Sequence, residues 1–183
     1  EDFEGTVTEQ VPESFQISQL KDAEPYDSVK VEASQTMLGQ DVLGAATTLP
    51  LPFKGDHEVT LGFGEQLLDP GLIDQYQKYG LFGHDGVDFE MPIGTDVVSV
   101  DEGTVLLAEE GQDYGTTIVV EHEWGRSYYG HLSKLNVEAG DTVKKGKVIA
   151  ESGDTGLSTA PHLHFGIKPT NFIRNNGYYG KVD

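Results

Sequence analysis

Hydrophobic and polar residues alternate in several short stretches of the chain from about residue 57 onward. Alternation of period two places successive side chains on opposite faces of a strand, so each stretch predicts a half-buried β-strand. Short strands separated by glycine-containing turns indicate an all-β fold of antiparallel, sandwich-like sheet. The predicted strands are HEVTLGF, DVVSV, GTVLLAEE, TTIVVEHE, RSYYGHL, DTVKKGKVIAES and HLHFGIK.

The first fifty residues lack this alternation and carry ten acidic and only two basic residues. We predict that residues 1–50 form an acidic, largely irregular arm and that residues 51–183 form the folded domain. The simpler interpretation of the arm is a solvated tail. The alternative is a pro-segment or tether that reaches the cleft of the domain.

Composition excludes several classes of function. The formal net charge of −19 argues against binding DNA, RNA or anionic membranes through a basic patch. The absence of cysteine excludes both a disulfide framework and a cysteine-ligated metal. Since the sequence has no apolar run of about 18 residues, we predict no membrane span.

Two histidines lie one residue apart in the predicted strand HLHFGI. In a strand, His162 and His164 project from one face, while Leu163, Phe165 and Ile167 point into the core. Two adjacent imidazoles are unfavourable as a pair of cations, and binding a metal or sharing a proton-transfer step removes the conflict. A pair of surface histidines without a function is the alternative.

A second candidate site lies in the stretch GHDGVDFEMP. His84 and Asp88 are four residues apart, and Gly86 between them permits a bend that brings an imidazole and a carboxylate together, which are a good pair of ligands for zinc. Asp85 is expected to face away, whereas Glu90 shares the parity of Asp88 and is not excluded by direction. The alternative is a simple ion pair at a turn.

A third candidate, His131, ends the aromatic strand in YYGHLS. Alone it indicates only a histidine beside the core. A catalytic zinc commonly takes three protein ligands and leaves a fourth position for water. Because the chain has no HExxH motif, we expect histidines beyond the ligands to transfer the proton and stabilise the oxyanion.

The stretches HDGVDF, YYGHLS and GDTVKKGKVIAESGDTGLSTAPHLHF together resemble the LytM/lysostaphin-type zinc endopeptidases that cut peptidoglycan peptides. The similarity runs from His57 to Ile167 in the order and approximate spacing of that family. It implies an antiparallel β domain with a groove, a Zn²⁺ cofactor, bacterial peptidoglycan peptides as substrate and an extracytoplasmic location. The metal ligands that the resemblance implies are His84, Asp88 and His164. The catalytic residues that it implies are His131, His162 and Tyr79.

Two other functions are compatible with parts of this pattern. One is a non-catalytic LytM-type module that activates a cell-wall amidase, and the complete set of five metal and histidine positions argues against it. The other is a phosphocarrier with paired histidines, in which the HxxxD motif would have no purpose. The sequence does not specify which peptide bond is cut, or which of His131 and His162 is the general base.

Overall fold

The computed structural model describes residues 29–30, 48–65, 78, 80–170 and 181. Twelve β-strands account for nearly all the regular structure in these ranges. In chain order they are β1 Val29–Lys30, β2 Thr48–Leu49, β3 Val59–Leu61, β4 Val87–Glu90, β5 Asp96–Val98, β6 Gly103–Glu110, β7 Thr116–His122, β8 Gly125–Leu132, β9 Lys134–Leu135, β10 Thr142–Val143, β11 Val148–Glu151 and β12 His162–Pro169. Within the described ranges, no helix has the length and apolar character needed to cross a bilayer.

The strands form three antiparallel sheets. The largest has seven strands in the order β10-β6-β7-β8-β12-β4-β3, and a smaller sheet has the order β5-β11-β9. Strands β1 and β2 pair as a separate two-stranded sheet. The prediction of an all-β antiparallel fold is therefore confirmed, and each of the seven predicted stretches contains at least one strand.

The hydrophobic core contains side chains from both larger sheets. Ile118 of β7 and Leu163 of β12 are fully buried, as are Val97 and Ile149 of the smaller sheet. Leu49 belongs to the same core, so the packed structure includes at least the end of the predicted arm. Residues 1–28 and 31–47 lie outside the described ranges, and the boundary between arm and domain stays a prediction.

Strand β12 determines where the candidate residues meet, because it lies between β8 and β4 in the large sheet. His164 is in register with Gly130 of β8 on one side and with Asp88 of β4 on the other. The predicted inward side chains of β12, Leu163, Phe165 and Ile167, are all buried. One face of β12 is thus fixed by the core, and the histidines are held on the opposite face.

A buried polar chain away from this face links β7 to β8. His122 Nδ1 donates to the Glu102 carbonyl oxygen at 2.8 Å, and His122 Nε2 lies 2.7 Å from Ser127 Oγ. Ser127 Oγ in turn lies 3.0 Å from Tyr129 Oη. Burial lowers the pKa of His122, although the hydrogen bond to Glu102 opposes this shift. The folded protein therefore keeps His122 neutral more strongly than the unfolded chain does.

We expect His122 to make the protein less stable in acid. As pH falls below about 6.5, the ordinary pKa of histidine, the unfolded chain takes up the proton first and the free energy of unfolding decreases. His122→Gln should cost about 1–3 kcal/mol at pH 7.5 through the lost hydrogen bonds. That cost should shrink between pH 7.5 and pH 5, as measured by urea unfolding of both proteins. A cost that stays constant over this range would contradict the expectation, and His57→Gln serves as the control.

Candidate metal centre

Three potential metal-ligand atoms converge on the side of β12 and β4 that faces away from the hydrophobic core. His84 Nε2 lies 3.1 Å from Asp88 Oδ1 and 3.0 Å from His164 Nδ1. His164 Nδ1 also lies 3.0 Å from Asp88 Oδ1, which closes a nearly equilateral triangle. A tetrahedral zinc with bonds of about 2.0–2.1 Å separates its ligand atoms by about 3.3 Å. The triangle is therefore close to the size that zinc requires.

His84 is held in place by the turn that follows β3. Its backbone N–H donates to the Glu65 carbonyl oxygen at 2.8 Å, and its own carbonyl oxygen accepts from the Gly64 N–H at 2.7 Å. In the ring, Nδ1 donates to the Gly62 carbonyl oxygen at 3.1 Å. A carbonyl oxygen can only accept, so the proton is on Nδ1 and the Nε2 lone pair points at the triangle.

The other two members of the triangle have pKa values that suit metal ligation. Burial lowers the pKa of His164 to about 4, so this imidazole is neutral at neutral pH. Burial alone would raise the pKa of Asp88, but its close contacts with the ring nitrogens of His164 and His84, at 3.0 and 3.1 Å, outweigh burial and hold the pKa well below its usual range. Neutral imidazole and ionised carboxylate are the forms that bind zinc.

Gly86 packs directly against the ring of His164. A Cβ at this position would lie 2.6 Å from His164 Cε1 and 2.6 Å from the Phe165 carbonyl oxygen. The sequence indicated that Gly86 permits a bend. The structure shows a second reason for glycine, because no side chain fits between the backbone at this position and the His164 ring.

We expect Gly86→Ala to displace His164 and weaken metal binding. Overpacking costs about 1–3 kcal/mol, which corresponds to about a five- to 150-fold loss of affinity if it falls on His164. Gly111→Ala is the matched control, since its Cβ would meet nothing closer than the Gly115 carbonyl oxygen at 3.4 Å. Zinc competition with a chromogenic chelator measures the difference, and equal affinities for the two variants would contradict this interpretation of Gly86.

His131 has an unusual backbone conformation beside the triangle. It has a φ of +59°, the only positive value for a non-glycine residue in the described ranges. Such a conformation costs energy unless the surroundings fix it. Its backbone N–H donates to the Tyr114 carbonyl oxygen at 2.7 Å, and its ring Nδ1 donates to the Thr155 carbonyl oxygen at 2.7 Å. These two bonds hold the side chain in one orientation with Nε2 as the acceptor.

His162 has the same ring polarity as His131 and lies next to it. Its Nδ1 donates to the Ala160 carbonyl oxygen at 2.7 Å, which leaves the lone pair on Nε2. That Nε2 lies 3.6 Å from Asp88 Oδ2. The rings of His131 and His162 are 4.5 Å apart between centroids. Burial lowers the pKa of His131, so this imidazole is available as a base at neutral pH.

The sequence profile of one protein family, described as Peptidase family M23, matches residues 82–176, which is more than half of the chain. The chain belongs to peptidase family M23. All five predicted metal and histidine positions lie inside the matched segment.

Proteins with similar sequences include two named endopeptidases. Over 99 residues the chain is 46% identical to glycyl-glycine endopeptidase ALE-1 of Staphylococcus capitis, covering 51% of this chain and 26% of that protein. Over 100 residues it is 39% identical to peptidoglycan DD-endopeptidase ShyA of Vibrio cholerae, covering 51% of this chain and 23% of that protein. The matched region thus spans about a quarter of these relatives.

Solved M23 structures have the same fold. The catalytic domain of lysostaphin from Staphylococcus simulans aligns with a TM-score of 0.57 at 35% identity, covering 69% of this chain and 88% of that one. A zinc-containing peptidase from Vibrio cholerae aligns with a TM-score of 0.59 at 31% identity, covering 73% of this chain and 37% of that one. The resemblance to the lysostaphin-type enzymes is confirmed.

An additional acidic residue lies beside the triangle without belonging to it. Asp85 is buried, and its Oδ2 accepts from Lys181 Nζ at 2.6 Å and from the Tyr114 hydroxyl at 2.5 Å. Burial would raise the pKa of Asp85, but the Lys181 ammonium outweighs it and lowers the pKa. Glu90 is exposed and is not part of the triangle either. Sequence reasoning missed the contact with Lys181, which follows Asp85 by 96 positions and lies beyond the M23 match.

A groove of about 520 Å³ lies beside the candidate metal centre, with Asp88 and His162 in its lining. The lining also includes Glu90 and Met91 at the end of β4, and Thr159 in the loop that precedes β12. An extended chain in this groove would pass next to the triangle.

Tyr79, the remaining predicted catalytic residue, lies outside the described residues.

Proposed function

We propose that this chain is a zinc-dependent endopeptidase that hydrolyses peptide cross-links or stem peptides of bacterial peptidoglycan. Membership of family M23 and the named activities of ALE-1 and ShyA support this class of reaction. The observation that carries the proposal is the triangle of His84 Nε2, Asp88 Oδ1 and His164 Nδ1. The proposed location, extracytoplasmic, follows from the substrate.

The chemistry of the three atoms fits a zinc ion. The Nδ1 proton of His84 is held by the Gly62 carbonyl oxygen, and Asp88 is ionised. Lone pairs facing each other at 3.0–3.1 Å repel unless a proton or cation lies among them. Two imidazoles and one carboxylate leave the fourth tetrahedral position free. When bound there, zinc would polarise the scissile carbonyl and lower the pKa of a water molecule.

His131 and His162 would carry out the proton transfer. Both rings donate Nδ1–H to a backbone carbonyl oxygen and so present Nε2. We propose that one Nε2 accepts the proton of the attacking water, and that the other imidazole hydrogen-bonds the developing negative charge on the substrate oxygen. Holding both rings by backbone carbonyl groups limits the reorganisation needed during the reaction.

The substrate peptide would lie extended in the groove between β4 and the loop before β12. Glu90 and Asp88 give this side of the groove a negative character, and Met91 and Pro92 contribute apolar surface. A peptide bound in this groove would pass next to the triangle, because Asp88 is part of both.

The test is digestion of purified cell walls of different cross-link chemistry, with the products identified by mass spectrometry. We expect new amino and carboxyl termini within the peptides, full loss of product after zinc removal by a chelator, and recovery when zinc is restored. Zinc-loaded protein that releases nothing from any wall, yet stimulates a purified wall amidase, would instead support the non-catalytic module. Glycan-chain cleavage without peptide cleavage would contradict the proposal.

A further inference from the structure

Next to the metal triangle lies a buried charged cluster formed by Asp85, Lys181 and Tyr114. Asp85 and Lys181 are each only 3% exposed. The Lys181 ammonium also lies 4.6 Å from the ring centroids of Tyr114 and of Tyr128, which surround the charge on its apolar side. Removing two charges from water costs free energy that the attraction between them often does not recover. A buried ion pair is therefore weak evidence for stability, and we consider a function for it.

The two oxygens of Asp85 have different surroundings. Oδ2 is taken by Lys181 and the Tyr114 hydroxyl, whereas Oδ1 lies 3.7 Å from His164 Nε2. His164 Nε2 is the ring nitrogen opposite to the one in the triangle. Asp85 therefore does not compete for the metal position. The oxygen Oδ1 of Asp85 lies on the side of the His164 ring that faces away from the triangle.

His164 needs an acceptor on that side. Its Nε2 is buried, and among the described residues it is the one buried side-chain nitrogen or oxygen with no hydrogen-bond partner. If Nδ1 binds a metal, the ring proton must be on Nε2, and a buried N–H without an acceptor costs about 1–3 kcal/mol. A shift of less than about 1 Å brings Asp85 Oδ1 within hydrogen-bond distance.

We infer that Asp85 is a positioning residue for the metal centre: it accepts the Nε2–H of His164, fixes the tautomer and ring orientation that point Nδ1 at the metal, and is itself held by Lys181. The inference rests on the proposed zinc site. Histidine ligands whose second nitrogen donates to a carboxylate are oriented and made more basic by it. Lys181 keeps the carboxylate ionised and fixed, so that its free oxygen stays directed at His164.

The experiment removes the whole pair at once. In Asp85→Leu/Lys181→Met no buried charge is left unpaired, so the fold should survive, while His164 loses its acceptor. We expect zinc affinity to fall about 10- to 100-fold, and the visible absorption bands of the cobalt-substituted protein to change. Asp85→Asn/Lys181→Met keeps a neutral acceptor oxygen and should recover part of the affinity. Glu151→Gln/Lys134→Met, which removes an ion pair of the same 2.6 Å length elsewhere, is the control and should bind zinc like the wild type.

The outcomes separate this inference from the proposed function. Wild-type zinc affinity and an unchanged cobalt spectrum in the folded Asp85→Leu/Lys181→Met protein would overturn the inference and leave the zinc peptidase intact. Equal affinities for the leucine and asparagine double variants would also overturn it, because the acceptor oxygen would then be irrelevant. A wild-type protein that binds no zinc would overturn both proposals. Thermal melting of each variant shows which proteins are folded and are to be compared.

Discussion

His164→Ala is expected to remove stoichiometric zinc and to reduce peptidase activity by at least about 1,000-fold. The reason is that His164 supplies one corner of the triangle through Nδ1, and two ligands from His84 and Asp88 do not hold a zinc ion in tetrahedral geometry. A metal ion supplies several kcal/mol of transition-state stabilisation, and each 1.36 kcal/mol is a factor of ten in rate. Elemental analysis after gel filtration measures the metal, and peptide release from purified walls measures the activity.

The control is a buried histidine outside the centre. His122→Gln disturbs a hydrogen-bonded histidine of similar burial, so any loss that follows from destabilisation alone should appear in both variants. We expect His122→Gln to keep one zinc per chain. His84→Ala should behave like His164→Ala. Full zinc content and activity in His164→Ala would remove this residue from the ligand set.

The fold class and the strands could be predicted from the sequence because each strand buries one face, which makes apolar and polar residues alternate. On β12 the period of two is visible in the letters, with Leu163, Phe165 and Ile167 on the core side. The neighbours of β12 could not be predicted in the same way. His164 pairs with Asp88 because β12 lies between β8 and β4 in the sheet. This order of the strands depends on tertiary structure and cannot be deduced from the local pattern. The resemblance to a family, and not the spacing, brought these residues into one proposed site.

Features that depend on close packing or distant contacts were not predicted. Gly86 gave the signal of a turn, but its function in the structure is to leave room for the His164 ring. The left-handed backbone of His131 has no sequence signal, since any histidine would look the same in YYGHLS. Asp85 lies in the first motif and pairs with Lys181, which lies beyond the last motif, so no local sequence pattern connects the two.

These missed features share one property: they support the candidate residues through packing and contacts that the letters of the motifs do not show. Tyr114 shows this most clearly, because its carbonyl oxygen accepts from the His131 N–H while its hydroxyl donates to Asp85. Tyr114, in the connection between β6 and β7, thus contacts both His131, a proposed base, and Asp85, the proposed partner of the ligand His164. Motifs report the groups that do the chemistry, and packing decides whether those groups are held in place.

His131→Asn and His162→Asn should each keep zinc and lose about 100- to 10,000-fold in kcat, the range for removal of a positioned acid or base. Neither ring nitrogen is in the triangle, so metal content should stay at one per chain. Asparagine is the appropriate replacement at His131, since it tolerates the left-handed backbone that alanine disfavours. Zinc loss in either variant would show that the residue is a ligand, and wild-type kcat would show that it takes no part in proton transfer.

The double variant distinguishes a coupled pair from two independent groups. If one imidazole takes the proton while the other stabilises the oxyanion in the same transition state, the combined loss in kcat should be much smaller than the product of the two single losses. The 4.5 Å separation of the rings favours such coupling, because both can reach one substrate carbonyl. Losses that multiply in full would mean that His131 and His162 contribute to the transition state independently of each other. Measurement of kcat for His131→Asn, His162→Asn and the double variant decides between the two.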